Sequence, residues 1–186
     1  MKPIFDFFIS LCVLFVFLIP MLLIAVGIKL TSTGPVLYWS NRVGKNNKIF
    51  KMPKFRTMRT DTPAVATHLL GEPDKYVTGI GRILRTSSLD ELPQLISIIK
   101  GDMSFVGPRP ALFNQDDLIA LRTSEGIHRL TPGLTGWAQI NGRDELPIPV
   151  KVEFDKYYLL NQSFFLDMKI ILRTILKVIF REGVTH

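Results

Sequence analysis

The chain has 186 residues, of which 47% are hydrophobic, long enough for one domain with a real core. Its formal net charge of +7 calls for an anionic partner, whether nucleic acid, anionic lipid or a phosphorylated substrate. The single cysteine, Cys12, excludes a disulfide framework and a cysteine-based zinc site, which suits a functional part facing a reducing compartment.

The apolar excess lies mostly at the two ends of the chain. From Ile4 to Ile28 the only charge is Asp6. At about 1.5 Å per residue, a helix of this length could cross a hydrocarbon core of roughly 30 Å. The run is too long for a signal-peptide core and lacks a small-residue cleavage site. Lys29, Arg42, Lys45, Lys48, Lys51, Lys54, Arg56 and Arg59 follow, and the positive-inside rule puts them in the cytoplasm. With so few residues ahead of the run, no extracytoplasmic domain is expected. Pro20 cannot donate to the carbonyl of Val16 and should kink the helix. Two outcomes stand open: a kinked helix that spans, or a re-entrant one that dips into one leaflet and returns, bringing Lys2 and Asp6 to the same interface as Lys29.

Next, Pro35 to Met58 reads as a β-hairpin, with Gly44-Lys45-Asn46-Asn47 as its turn. Thr60 to Thr78 reads as a loop or short irregular helices. Leu92 to Lys100 is expected to be a helix ending near Gly101, and Phe113 to Leu121 another. The prolines and glycines of Thr131 to Pro149 mark a loop, and a further helical stretch starts at Glu153. Phe164 to Arg181 reads as an amphipathic helix. Its Lys169, Arg173, Lys177 and Arg181 form one cationic stripe, suited either to an anionic bilayer surface or to a solvated face of a packed helix. No alternation of strands and helices suggests a parallel sheet. There is no P-loop, dinucleotide fingerprint or Ser-His-Asp order, and His68, His128 and His186 lack metal-ligand spacing.

Chemistry concentrates in Ser87-Ser88-Leu89-Asp90-Glu91-Leu92-Pro93-Gln94-Leu95. Pro93 fits the first turn of a helix, so Asp90 and Glu91 should stand at a helix N-terminus, where carboxylates and phosphates are both favoured. They are a nucleophile or metal ligand beside a phosphate site, or else a plain helix cap, with Ser88 and Glu91 as a capping box. Arginine-bearing segments read as loops surround them: 54–58, 81–85, 107–110 and 141–143. Arginine is the preferred side chain for bidentate phosphate contact, so the set suggests a diphosphate site.

The stretches KFRTM (54–58), LRTSSLDELPQL (84–95), KGDMSFVGPRP (100–110), TPGLTGWAQINGR (131–143) and FDKYYLLNQSFFLD (154–167) resemble the small monotopic phosphoglycosyl transferases of the bacterial sugar transferase family. The resemblance covers nearly the whole chain. It implies an α+β, mostly helical monotopic membrane protein with a small β-hairpin and amphipathic interfacial helices. Residues 1–30 would form a re-entrant membrane helix broken at Pro20, although Ile19 stands where many members have serine. Residues 31–186 would form the catalytic domain at the cytoplasmic face of the bacterial inner membrane. The implied reaction moves a sugar 1-phosphate from a UDP-sugar, expected here to be an N-acetylated amino sugar, to undecaprenyl phosphate, and starts glycan assembly. It uses Mg²⁺ and a covalent phosphosugar on Asp90, with Glu91 as dyad partner and Asp90 also at the metal. Phosphate contacts are expected from Arg109 and Arg143, then Lys54, Arg56 and Arg85. Asp155 and Asp167 match late acidic positions and would hold arginines, the metal or only the fold. Sugar choice is expected in the loop 141–150. Membrane lipids are implied as partners and nucleic acid is not; no oligomeric state follows. A membrane-tethered, metal-dependent phosphohydrolase remains the alternative.

Overall fold

A computed structural model of the chain describes residues 2–63, 73–142 and 146–180. It is an α+β fold, mostly helical. α1 (Lys2–Thr31) is followed by β1 (Leu37–Val43) and β2 (Ile49–Phe55), and then by α2 (Gly79–Thr86) and α3 (Leu95–Ile99). β3 (Ser104–Val106), α4 (Asp116–Ser124), β4 (Gly133–Thr135), α5 (Trp137–Ile140), α6 (Ile148–Leu160) and α7 (Phe164–Phe180) complete it.

α1 is long and apolar enough to cross a membrane by length and composition. Helical backbone continues through Pro20, so the expected break does not interrupt the element. Phe8, Phe15, Val16, Ile19, Leu22, Leu23 and Leu30 are exposed on it, a surface that water does not suit and lipid does. The helix associates with the domain along its whole length. Lys2 donates to the Val106 carbonyl at 2.7 Å and to the Tyr158 hydroxyl at 2.6 Å, and pairs with Asp167 at 2.9 Å. Val13 and Leu14 pack on Met52, Leu95, Ile98 and Met103. Ile28, fully buried, packs with Phe55 and Leu84. A straight helix of 30 residues is about 45 Å long. Both of its ends nevertheless rest on the same domain.

β1 and β2 pair antiparallel from Leu37↔Phe55 to Val43↔Ile49, as the turn residues imply. Asn46 and Asn47 take left-handed backbone (φ 55° and 59°), which asparagine tolerates better than most residues. α2 occupies a segment expected to be loop. Thr78 starts it by accepting the Gly81 N–H at 3.0 Å. At Gly81 a Cβ would stand 2.0 Å from the Thr57 carbonyl oxygen, so only glycine lets the helix approach the hairpin.

A second departure lies at β3 and β4, which pair in parallel through Ser104↔Gly133 and Val106↔Thr135. Strands this short carry no readable period, and β4 lies inside the segment read as a loop. The segment also holds α5 and the start of α6. Pro147 and Pro149 flank the first residue of α6 because a first helical turn needs no proline N–H, so the helix begins at Ile148 rather than Glu153. α4 overlaps the expected helix Phe113 to Leu121 but is shifted three residues towards the C-terminus, with Asp116 and Asp117 in its first turn, where acidic groups suit the helix dipole. α7 matches its expected span, although Arg181 of the cationic stripe lies outside the described residues. Lys169 and Arg173 are exposed, as are Phe164, Phe165, Leu172, Ile175, Leu176 and Phe180.

Candidate active site

Asp90 and Glu91 stand in the first turn of a 3-10 stretch, Leu89–Gln94, that runs directly into α3. The carboxylates are therefore at a helical start, as expected, but Pro93 comes at its end. Ser88 precedes the stretch in left-handed backbone (φ 56°) and makes no side-chain cap. The capping-box reading fails because the Glu91 carboxylate is engaged elsewhere. Its Oε1 accepts from Lys54 Nζ at 2.7 Å and from Arg109 Nη2 at 3.1 Å. Burial alone would raise the Glu91 pKa; the Lys54 and Arg109 charges and their hydrogen bonds outweigh it and hold the carboxyl well below the usual carboxylate range.

Asp90 is in the opposite situation. Its side chain is 13% exposed, and the nearest cation among the described residues, Lys54 Nζ, is 4.0 Å away. Among the described residues no hydrogen bond to its carboxylate is formed. Burial pushes its carboxyl up to about 6; Glu91 adds to the rise, while Lys54, Arg109 and Arg85 oppose it. Two adjacent carboxylates are thus split by environment. One is a fixed anion clamped between cations, and the other is less solvated and holds its lone pairs open. That difference is what a nucleophile and its electrostatic partner require.

The cations come from separate elements. Lys54 lies near the end of β2, opposite Tyr38. Arg109 lies on a strap, Gly107-Pro108-Arg109-Pro110, between β3 and α4. Gly107 donates to the Thr135 carbonyl and Pro108 accepts from Gly133, each at 2.9 Å. A Cβ on Gly133 would stand 2.1 Å from the Gly107 nitrogen, and one on Gly136 would stand 2.1 Å from the Gly107 oxygen. Strap and β4 can meet only through glycine here. Arg85, on α2, acts on Asp90 through its charge.

The other expected site residues are placed elsewhere. Arg56 is buried at 5% exposure and closes the end of α1. It donates to the Ser32 carbonyl at 3.1 Å, to Ser32 Oγ at 2.7 Å and to the Thr33 carbonyl. β2 ends at Phe55, so strand alternation no longer keeps Arg56 on the face of Lys54. A cation at a helix C-terminus satisfies carbonyls that have no partner within the helix. Asp155 holds an arginine, but it is Arg122 on α4, a residue the sequence reading passed over. Asp167 holds Lys2 and accepts from the Tyr158 hydroxyl at 2.7 Å, so it anchors α1. Arg143, the polar end of the NGR motif, lies outside the described residues.

No group of three or more His, Cys, Asp or Glu side chains is assembled to hold a metal among the described residues. This donor set does not make a protein cage. Asp90 is the carboxylate that would hold a Mg²⁺ ion, which commonly takes one or two carboxylates and completes its shell with substrate phosphates and water.

A family profile described as bacterial sugar transferase matches residues 1–181. The chain is 44% identical over 160 residues to an uncharacterised sugar transferase, EpsL, of Bacillus subtilis (strain 168), with 84% of this chain and 76% of that protein covered. It is 41% identical over 197 residues to an undecaprenyl-phosphate glucose phosphotransferase of Komagataeibacter xylinus, covering 98% of this chain and 36% of that protein. A UDP-N-acetylgalactosamine-undecaprenyl-phosphate N-acetylgalactosaminephosphotransferase of Aeromonas hydrophila is 38% identical over 168 residues, covering 88% of this chain and 40% of that protein. The chain thus spans well under half the length of these last two relatives.

Proposed function

The chain belongs to the bacterial sugar transferase family, and on that premise we propose that it transfers a sugar 1-phosphate from a UDP-sugar to undecaprenyl phosphate, releasing UMP. The observation that carries this reading is the unequal pair: Glu91 clamped by Lys54 and Arg109, and Asp90 beside it with no hydrogen bond from the described residues.

In the first step a carboxylate oxygen of Asp90 attacks the phosphorus that bears the sugar. The bond from that phosphorus to the UMP oxygen breaks, and UMP leaves with the electron pair. In the second step a phosphate oxygen of the lipid attacks the same phosphorus. The Asp90 oxygen departs as carboxylate, and the product is a lipid diphosphate sugar. Lys54 and Arg109 stand where they can stabilise charge spread over the transferring phosphoryl oxygens. Glu91 keeps both cations aimed at the site and remains ionised throughout. A Mg²⁺ ion held by Asp90 and the diphosphate would offset repulsion between anions and ease the departure of UMP. Two displacements on one carboxylate let a soluble donor and a membrane-bound acceptor use the site in turn.

The placement of α1 supports a monotopic protein. Both ends rest on one domain while its exposed apolar side chains need lipid. α7 adds exposed apolar residues beside Lys169 and Arg173, suited to an anionic inner leaflet. We assign the protein to the cytoplasmic face of the bacterial inner membrane, in the first step of building a glycan. For the sugar we propose an N-acetylated amino sugar; the Komagataeibacter xylinus and Aeromonas hydrophila relatives are named as glucose and N-acetylgalactosamine phosphotransferases. Purified protein given UDP-sugars labelled in the sugar, with undecaprenyl phosphate and Mg²⁺, tests the reading. Label should move to the lipid with one sugar and leave UMP. Label released as free phosphosugar would instead identify a phosphohydrolase.

A further inference from the structure

The Arg109 strap has an unusual problem of support. Pro108 and Pro110 have no N–H, so the segment cannot hold itself in a ladder. Its first residue, Gly107, donates to the Thr135 carbonyl, and beyond it the strap is held by its carbonyls. Pro108 accepts from the Gly133 N–H at 2.9 Å, Arg109 from Arg122 Nη1 at 2.8 Å, and Pro110 from Arg42 Nη1 at 3.2 Å. The middle contact falls on the residue whose side chain reaches Glu91. It is also the one anchored on a buried charge. Arg122 Nε and Nη2 both donate to Asp155 Oδ2, at 2.9 and 2.6 Å. Arg122 is 8% exposed and Asp155 is 1% exposed.

We propose that Arg122, braced by Asp155, is a positioning residue for sugar-phosphate transfer. It fixes the main chain of Arg109 so that the Arg109 guanidinium meets Glu91 and the donor diphosphate. The inference rests on the functional reading above and extends it to a pair that touches neither substrate nor dyad. A guanidinium suits the task because its planar fork serves a carboxylate on one edge and a carbonyl on the other; a lysine ammonium is a point charge and cannot span both in the same way. The pair also joins α4 to α6, and a purely structural tie between those helices is what the experiment must separate from positioning.

The test uses the full chain in detergent, with Arg109→Ala, Arg122→Met and the double variant. Arg122→Met should lower kcat/KM for UMP release by about 100-fold, the scale of losing one aimed donor, and so approach Arg109→Ala. In the Arg109→Ala background the same change should cost less than about threefold, because the group it positions is gone. An equal loss in both backgrounds, or a lowered melting temperature with normal kcat/KM, overturns the proposal. Arg122→Lys, which keeps charge and bulk, covers the case in which Arg122→Met does not fold; it should fold and show an intermediate rate. Hydrogen exchange over 104–113 gives a readout independent of activity. Exchange should be faster in both Arg122 variants and unchanged in Arg109→Ala, and unchanged exchange in the Arg122 variants refutes positioning. Absence of UMP release by the unmodified protein would sink the functional reading, while exchange would still decide whether Arg122 holds the strap.

Discussion

Replacing Asp90 by asparagine should abolish transfer and at the same time stabilise the protein at neutral pH. The folded site raises the Asp90 carboxyl from 3.8 to about 6, chiefly by burial. That is a shift of roughly two pKa units, and at about 1.36 kcal/mol per unit it means the ionised form is disfavoured by about 3 kcal/mol. Above pH 6 both the folded and the unfolded chain carry Asp90 ionised, so this cost is fully present. As pH falls from 6 towards 3.8 the folded protein takes up the proton first and the cost shrinks. Below 3.8 both states are protonated and it vanishes. Asparagine resembles the protonated acid at every pH. Asp90→Asn should therefore melt about 6–12 °C higher than the parent at pH 7.5, taking about 2–4 °C per kcal/mol for a chain of this size. The difference should close near pH 4. Melting is followed by circular dichroism in detergent with EDTA, which keeps divalent ions off the carboxylate. UMP release by the parent should fall about tenfold per unit below pH 6, and Asp90→Asn should lose several orders of magnitude. Near-normal turnover of Asp90→Asn would refute the nucleophile assignment. A gain in melting temperature that persists unchanged at pH 4 would refute the electrostatic account.

Acceptor-free protein with Mg²⁺ and the correct UDP-sugar should give a burst of UMP of at most about one per site, and labelled UMP should exchange back into the donor; normal transfer with neither burst nor exchange would favour direct transfer within a ternary complex. Arg56→Met should lower the melting temperature, since it removes charge-assisted hydrogen bonds at the end of α1, and should leave KM for the UDP-sugar within about twofold; a large rise in KM would restore Arg56 to the phosphate site. In a Cys12→Ala background, a cysteine inserted between Met1 and Lys2 and, separately, Lys45→Cys should both resist a membrane-impermeant thiol reagent in intact cells and react in opened cells. The insertion spares Lys2, which Asp167 and Tyr158 engage, and labelling of the inserted cysteine from outside would show that α1 spans.

Local chemistry made much of this protein legible from its residues. Twenty-five nearly uncharged apolar positions can only be a helix that seeks lipid or a core, and α1 is that helix. Turn residues between alternating runs set the hairpin and its register. An Asp-Glu pair before a proline, among arginines, marked the place where Asp90, Glu91, Lys54 and Arg109 meet. Other features depend on partners far apart in the chain, and no local pattern encodes them. β3 and β4 are too short to show a period and exist because each supplies the other's hydrogen bonds. Arg56 belongs to the end of α1 rather than to the phosphate site because β2 stops one residue before it. Arg122 looks like any arginine on a polar helix until Asp155, 33 residues away, is brought against it. The inequality of Asp90 and Glu91 is likewise a tertiary property. The two residues are neighbours with the same charge, and only the cations delivered by β2 and the strap decide which is clamped and which is left open to react.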